Sequence, residues 1–291
     1  MTISPVRQAR LEGHLSLEFE LNPTLGRTTL NVCKQTPPLK VVRAFDNGDG
    51  GVLVHLHNVS GGILGGDYLE LVVTLGANTY AQLTTTGATR IYRKHSDRPS
   101  ATQINHIVVG ENALLEMLPD QIIPFAGAVY RQETHIQLAS GAGMFWWETI
   151  ASGRVAAGEV FQYELLDLRF VLYDDQKPIA LEHVRLEPGA RSMASPVRLG
   201  NYRNFSTFYI CRVGVPSANW LSLESELSDV AQQLSEKGQS LWGVSALVAS
   251  GLVIRGLTQT GPAAAHGLLT FWQVAKQALY ERPANPPRKV Y

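Results

Sequence analysis

Ser60-Gly61-Gly62-Ile63-Leu64-Gly65-Gly66-Asp67 places four glycines and a closing carboxylate in one short turn. Glycines at that density mean that the backbone takes positive φ values or lets another group approach closely. The turn is not a phosphate loop, because that loop needs a Lys-Ser/Thr pair where Asp67 stands, and a carboxylate repels phosphate. Nor does it open a dinucleotide-binding helix, since Tyr68 to Leu75 alternates as a strand. Two readings remain: a tight hairpin whose Asp67 binds local backbone amides, or a carboxylate that faces a partner or handles a metal. Just upstream, His55 and His57 lie two apart on a strand-like stretch and point to one face, as metal ligands on β-barrels do. This raises a cupin-like metal-dependent enzyme. That pattern wants a glutamate shortly after the second histidine, and Asn58-Val59-Ser60 supplies none; His106 serves as a distal ligand only by assumption. The plainer reading is two histidines on a strand face.

Other candidates are weaker. Asp46-Asn47-Gly48-Asp49-Gly50 opens like a calcium loop but lacks its glycine position and closing glutamate. No serine sits in G-x-S-x-G. Glu116 within Leu114–Leu118, Glu148 after Trp146-Trp147, and Glu159 after Gly158 border large apolar or glycine-rich sequence. Carboxylates there are costly unless paired, so Arg154 with Glu159, and Arg90 or Arg93 with Glu116, are expected as structural ion pairs.

These residues need strands to hold them. Period-two alternation recurs at Leu15-Leu17-Phe19-Leu21, Leu69-Leu71-Val73-Leu75, Ile104-His106-Val108, Tyr130-Gln132-Thr134-Ile136-Leu138 and Leu168-Phe170-Leu172. Turn signals separate them, among them Gly76-Ala77-Asn78, Gly110-Glu111-Asn112 and Gly141-Ala142-Gly143. One mainly β body from about residue 10 to 190 is expected, with no fixed-period repeat. A mixed strand and helix part follows to about 280: Leu223, Leu227, Val230 and Leu234 form one helical stripe with Gly238 as its glycine cap, and Leu268, Trp272, Ala275 and Leu279 form another after Pro262. Phe205, Phe208, Tyr209 and Trp220 either face a partner or pack on the β body, and packing is the favoured reading. The proline-rich end, 281–291, reads as a loose tail. All of this is taken as a single domain, 1–291.

Composition narrows the function classes. Twenty-five basic and 25 acidic residues leave a formal net charge of zero among 291 residues, which disfavours nucleic acid and anionic membranes. Charged residues make up 17%, against about 25% in ordinary proteins, which hints at surface reserved for partners. Cys33 and Cys211 form no disulfide framework, Met1 to Arg10 lacks an apolar export region, and Val244–Ile254 is too short to span a bilayer. The expected setting is the cytoplasm.

The order of motifs is specific where each alone is not. The glycine turn, then Leu83-Thr84-Thr85-Thr86-Gly87-Ala88-Thr89-Arg90-Ile91-Tyr92-Arg93, then Leu115-Glu116-Met117-Leu118-Pro119 with Ile122–Ala128, then Gly153-Arg154 and Gly158-Glu159, together resemble the urease accessory protein UreD family, called UreH in some organisms. The resemblance covers about residues 10–190 well and departs mildly at Ser60, where many members have proline, and at Arg90, where many have lysine. It implies an elongated, β-helix-like stack of short strands with a small helical part, acting as a non-catalytic scaffold. It further implies that such a protein binds apo-urease and UreF, reaches the GTPase UreG through UreF, and supports lysine carbamylation and nickel insertion in urease. A water-filled passage has been proposed in the family as the metal route. No permanent cofactor is implied, only nickel in transit. Ions in transit need weak oxygen or imidazole groups, so Asp67, Glu116, Glu148 and Glu159, with the hydroxyls of Thr84 and Thr85, are the expected route residues. Gly61, Gly62, Gly65 and Gly66 are expected to be backbone requirements, with Arg154 structural.

Overall fold

A computed structural model describes residues 12–95 and 97–287; the start of the expected β body near residue 10 and the basic end of the tail, Arg288 and Lys289, lie outside them. The chain opens with β1 (Glu12–Asn22), β2 (Arg27–Thr36), β3 (Leu39–Lys40) and β4 (Ala44–Asp46). It then winds as a coil. β5 (Val52–Asn58) leads through the glycine turn to β6 (Tyr68–Leu75); β7 (Tyr80–Thr85), β8 (Thr89–Ile91) and β9 (Ala101–Val109) make the next rung; β10 (Leu114–Met117), β11 (Ile122–Pro124) and β12 (Val129–Leu138) the third; β13 (Gly143–Ala151) and β14 (Leu165–Asp174) the fourth. β5, β7, β10 and β13 pair in parallel in one sheet, while β1, β6, β9, β12 and β14 pair in parallel in the other. Ile63, β8 and β11 form a short third side. The β-helix-like stack is thus present in the residues described.

Each rung returns to the next through a turn whose left-handed residue recurs at the same place: Asn78, Asn112 and Gly141, with φ of 58°, 56° and 68°. Asparagine, aspartate and glycine tolerate that backbone best. Their unequal spacing along the chain is why a regular structural repeat leaves no fixed period in the sequence.

Antiparallel strands close the stack: β15 (Lys177–Leu186) on β14, and β16 (Asn204–Arg212) on β13. After β16 come α1 (Ser217–Leu234), β17 (Ser240–Ala246), β18 (Gly251–Thr258) and α2 (Gly261–Tyr280). The first sheet runs β15-β14-β12-β9-β6-β1-β2 and the second β17-β18-β16-β13-β10-β7-β5-β3. Between them lies an apolar core stacked in rows; one row, Val54-Leu83-Met117-Trp146-Tyr209-Val253, crosses six strands of the second sheet. Both helices lie on the outer side of the second sheet, burying Trp220, Leu223 and Leu227 from α1 and Leu268, Phe271, Trp272 and Ala275 from α2. Phe208, Tyr209 and Trp220 are buried, so packing accounts for them.

Two expectations need correction. α1 ends at Leu234 with Ser235 as its cap, and Gly238 (φ 77°) turns the chain into β17 instead of capping the helix. The proline-rich end is not free as far as it is described: Ala284 packs on the helical core, Asn285 Nδ2 donates to Asp49 at 3.2 Å, and the Asn285 carbonyl accepts from Gln82 at 3.1 Å.

Candidate functional site: a polar lane between the sheets

The glycine turn is a crossover, not a hairpin, because β5 and β6 belong to opposite sheets. It forms the short side of the first rung: the Ile63 amide donates to the Arg90 carbonyl at 2.8 Å and the Tyr92 amide to the Ile63 carbonyl at 2.9 Å. A Cβ on Gly62 would stand 2.6 Å from that same Arg90 carbonyl, so the rungs can approach only with glycine there. Asp67 is buried and accepts from the Leu64 amide at 2.9 Å, as the local reading expected. Burial raises its carboxyl above the ordinary range, partly offset by that amide and by Arg98.

Inward-facing residues at one level of the stack are polar where the rest of the core is apolar. On the first sheet, Asn105, Thr134 and Glu182 continue the row that begins with Leu15 and Leu71; Gln103 and Gln132 lie one row over. On the second sheet Glu148, Thr207 and Arg255 share a row. They interlock: Asn105 Nδ2 donates to Thr134 Oγ1 at 2.9 Å, Gln103 Nε2 to Asn105 Oδ1 at 3.0 Å, and Tyr130 Oη to Gln132 Oε1 at 2.9 Å, while Gln132 Nε2 donates to Glu148. Further along, Tyr209 Oη donates to Glu182, which also pairs with Arg255 at 3.3 Å.

Four chambers follow this lane. The first, of 330 Å³, is lined by Gly61, Gly62, His57, Thr85, Thr89 and Arg90 among others. It shares Leu56, Leu71, Thr85, Thr89 and Gln103 with a second of 80 Å³, which reaches Gln132 and Glu148. Trp146, Glu148 and Ile150 border a third of 30 Å³, and Glu182, Val184, Phe205 and Thr207 are common to it and to a fourth of 540 Å³. A volume of 30 Å³ admits roughly one or two waters, so the third chamber is the constriction, with Glu148 on one side and the Tyr209–Glu182 pair on the other. Burial, reinforced by the negative charge of Glu182, pushes the Glu148 carboxyl up to about 7, against the opposing hydrogen bond from Gln132. Burial and Glu182 together push the Tyr209 phenol far above its ordinary range, leaving it a firm donor.

The other expected residues are dispersed. Glu116 faces the helices, away from the lane: with Lys276 it forms an ion pair at 3.0 Å in which both side chains have 0% exposure. It also accepts from Tyr80 Oη and Gln82 Nε2, both at 2.8 Å, and from Trp272 Nε1 at 3.1 Å. Its cationic partner is therefore Lys276, not Arg90 or Arg93; α2 delivers a lysine that no local spacing points to. Glu159 is held by Arg154 as expected and also accepts from the Ala126 amide at 3.1 Å. Thr84 is buried and donates to the Leu118 carbonyl at 2.7 Å, while Thr85 borders the first two chambers. A Cβ on Gly65 would stand 3.1 Å from the Lys94 Cα, and Gly66 adopts φ 94°. His55 packs edge-on against Phe45; His57 is held below the ordinary imidazole range by burial and by His55. His106 stands on the outer face of β9 in the other sheet, so the three histidines do not converge. Among the described residues no three His, Cys, Asp or Glu side chains are arranged to hold a metal ion, and the parallel rungs differ from the antiparallel jelly roll of cupins.

Residue types and spacing mark none of Gln103, Asn105, Gln132, Glu182 and Tyr209 as part of a polar lane. The signal lay in Tyr130-Gln132-Thr134-Ile136-Leu138: two polar residues occupy positions that alternation assigns to the apolar side.

The model of the UreD urease accessory protein family matches residues 11–291. Urease accessory protein UreD of Herpetosiphon aurantiacus is 45% identical over 285 residues, covering 98% of each chain. Its counterpart from Deinococcus radiodurans is 34% identical over 90% of each chain. Urease accessory protein UreH of Helicobacter pylori is 30% identical over 76% of this chain and 83% of its own. With a family model matched from the first rung to the last residue and a relative of this similarity at full length, the chain belongs to the UreD family of urease accessory proteins.

Proposed function

We propose that this protein serves urease maturation as a non-catalytic scaffold and conduit. It joins apo-urease to UreF, and through UreF to the GTPase UreG, while nickel crosses the lane between the sheets on its way to the urease active site. The observation that carries this reading is the run of four chambers sharing walls end to end, lined by amide oxygens, hydroxyls and the carboxylates Asp120, Glu148 and Glu182, with Glu148 and Glu182 at the narrowest point. Oxygen donors of this kind hold a borderline cation weakly enough to release it. Of the four carboxylates the resemblance implies, Glu148 alone borders these chambers, and the proposal assigns the transient nickel contact to it. Asp67, Glu116 and Glu159 hold rungs, helix and turns in place.

The test is urease activation in cells supplied with nickel, comparing wild type with Glu148→Gln and with Thr207→Phe, which plugs the chamber wall shared by the third and fourth spaces. Expected is a fall of tenfold or so in nickel per urease active site while the variants still co-purify with UreF and apo-urease. Normal nickel content with a folded Thr207→Phe protein overturns the conduit. Failure of the wild-type protein to co-purify with either partner overturns the scaffold.

A further inference from the structure

The first sheet turns its outer face away from both helices and carries four of the chain's eight histidines there: His14, His106, His135 and His183. Two of them are taken up by carboxylates. His14 Nδ1 lies 2.9 Å from Glu70 and His183 Nε2 lies 2.7 Å from Asp167. His106 and His135 instead face each other. They are direct partners in the parallel register of β9 and β12, both exposed, with ring centroids 5.6 Å apart and ring planes 21° from parallel.

We propose that His106 and His135 form an exterior site for a divalent borderline cation of the Ni²⁺, Zn²⁺ or Cu²⁺ class, bound by one nitrogen from each ring with water completing the shell. The geometry is close to what such a site needs. Metal–imidazole bonds are about 2.1 Å long, so two rings sharing an ion stand with centroids roughly 4.5–5.5 Å apart. The strands already fix the separation of the two backbones near 4.8 Å. What remains is rotation about χ2, so that the two lone pairs converge on one point, and exposed rings on sp²-type torsions turn at little cost. Imidazole donors select borderline cations and reject Ca²⁺ and Mg²⁺, which take oxygen. Glu133 adds a carboxylate 4.0 Å from His135 Nε2, although Arg169, 3.8 Å from the same carboxylate, offsets part of its charge. The site stands on the outer face of the first sheet and needs neither the chambers nor a urease partner.

Isothermal titration of the full-length protein with NiCl₂ alone tests it. Wild type is expected to bind one Ni²⁺ that His106→Ala and His135→Ala each weaken at least tenfold, and that the double variant abolishes. His14→Ala, removing a histidine from the same face, is expected to leave this site within twofold. Exposed histidines on strand surfaces can be truncated without unfolding the stack, and circular dichroism confirms that for each variant. An unchanged isotherm in the double variant, or an equal loss in His14→Ala, overturns the proposal.

Discussion

Glu148 gives the sharpest quantitative test, because a carboxyl that ionises near 7 inside a protein leaves a mark on stability that a neutral isostere erases. At about 1.4 kcal/mol per pH unit, the interval between its ordinary value of 4.5 and about 7 corresponds to a cost of about 3 kcal/mol for holding the ionised form in the lane. The sign follows from which state loses its proton first. Below about pH 4.5 the carboxyl is neutral in both folded and unfolded chains and costs nothing. From there to about 7 the unfolded chain ionises while the folded one does not, so stability falls as pH rises, and above that range the full cost is present. Glu148→Gln removes the charge and keeps an oxygen that accepts from Gln132. Thermal unfolding at pH 8 is therefore expected to show the variant melting higher than wild type by roughly 6 °C, given about 2 °C per kcal/mol at this size, and at pH 4.5 the two are expected to melt within about 1 °C of each other. Equal differences at both pH values, or a variant that melts lower at pH 8, refute the account of Glu148 as a charge held against desolvation.

Other consequences are structural. Lys276→Met strands the buried Glu116 carboxylate and is expected to cost about 3–5 kcal/mol, measured by urea denaturation; adding Glu116→Gln to it is expected to recover most of that loss, and no recovery would mean that the pair is not what Lys276 neutralises. Gly62→Ala drives a methyl into the Arg90 carbonyl and the Tyr92 ring, with an expected loss of about 2 kcal/mol or more, whereas Gly87→Ala, which meets nothing within 4 Å, is expected to be near neutral in the same melt. At the rung turn, Asn112→Val forces a β-branched residue into the left-handed region and is expected to lose about 1–2 kcal/mol, while Asn112→Gly is expected to hold its melting temperature.

The division between what was legible and what was not follows the range of the interactions. Alternation in β6 reads directly as a strand with one buried face, because Leu69, Leu71, Val73 and Leu75 each sink into the core through contacts their own spacing dictates. Helix stripes are local in the same way, and so is the Asp67 carboxylate bonding the amide of Leu64. The partner of each strand is another matter. Nothing in β5 states that the next strand will leave for the opposite sheet, because a glycine-rich crossover and a glycine-rich hairpin share the same composition; the difference is fixed by Ile63 docking on Ile91 one rung away. Glu116 and Lys276 are likewise distant in the chain, so a pairing guess confined to nearby arginines could not reach the lysine that α2 brings back. The lane was half visible. Gln132 and Thr134 in apolar register announce a buried polar surface on one strand. A cavity, however, requires Glu148 and Thr207 of the opposite sheet to arrive at the same level, and that coincidence exists only after the coil has closed. A residue-type search therefore ranks four carboxylates alike, while the fold separates one that borders open space from three already engaged in holding the structure together.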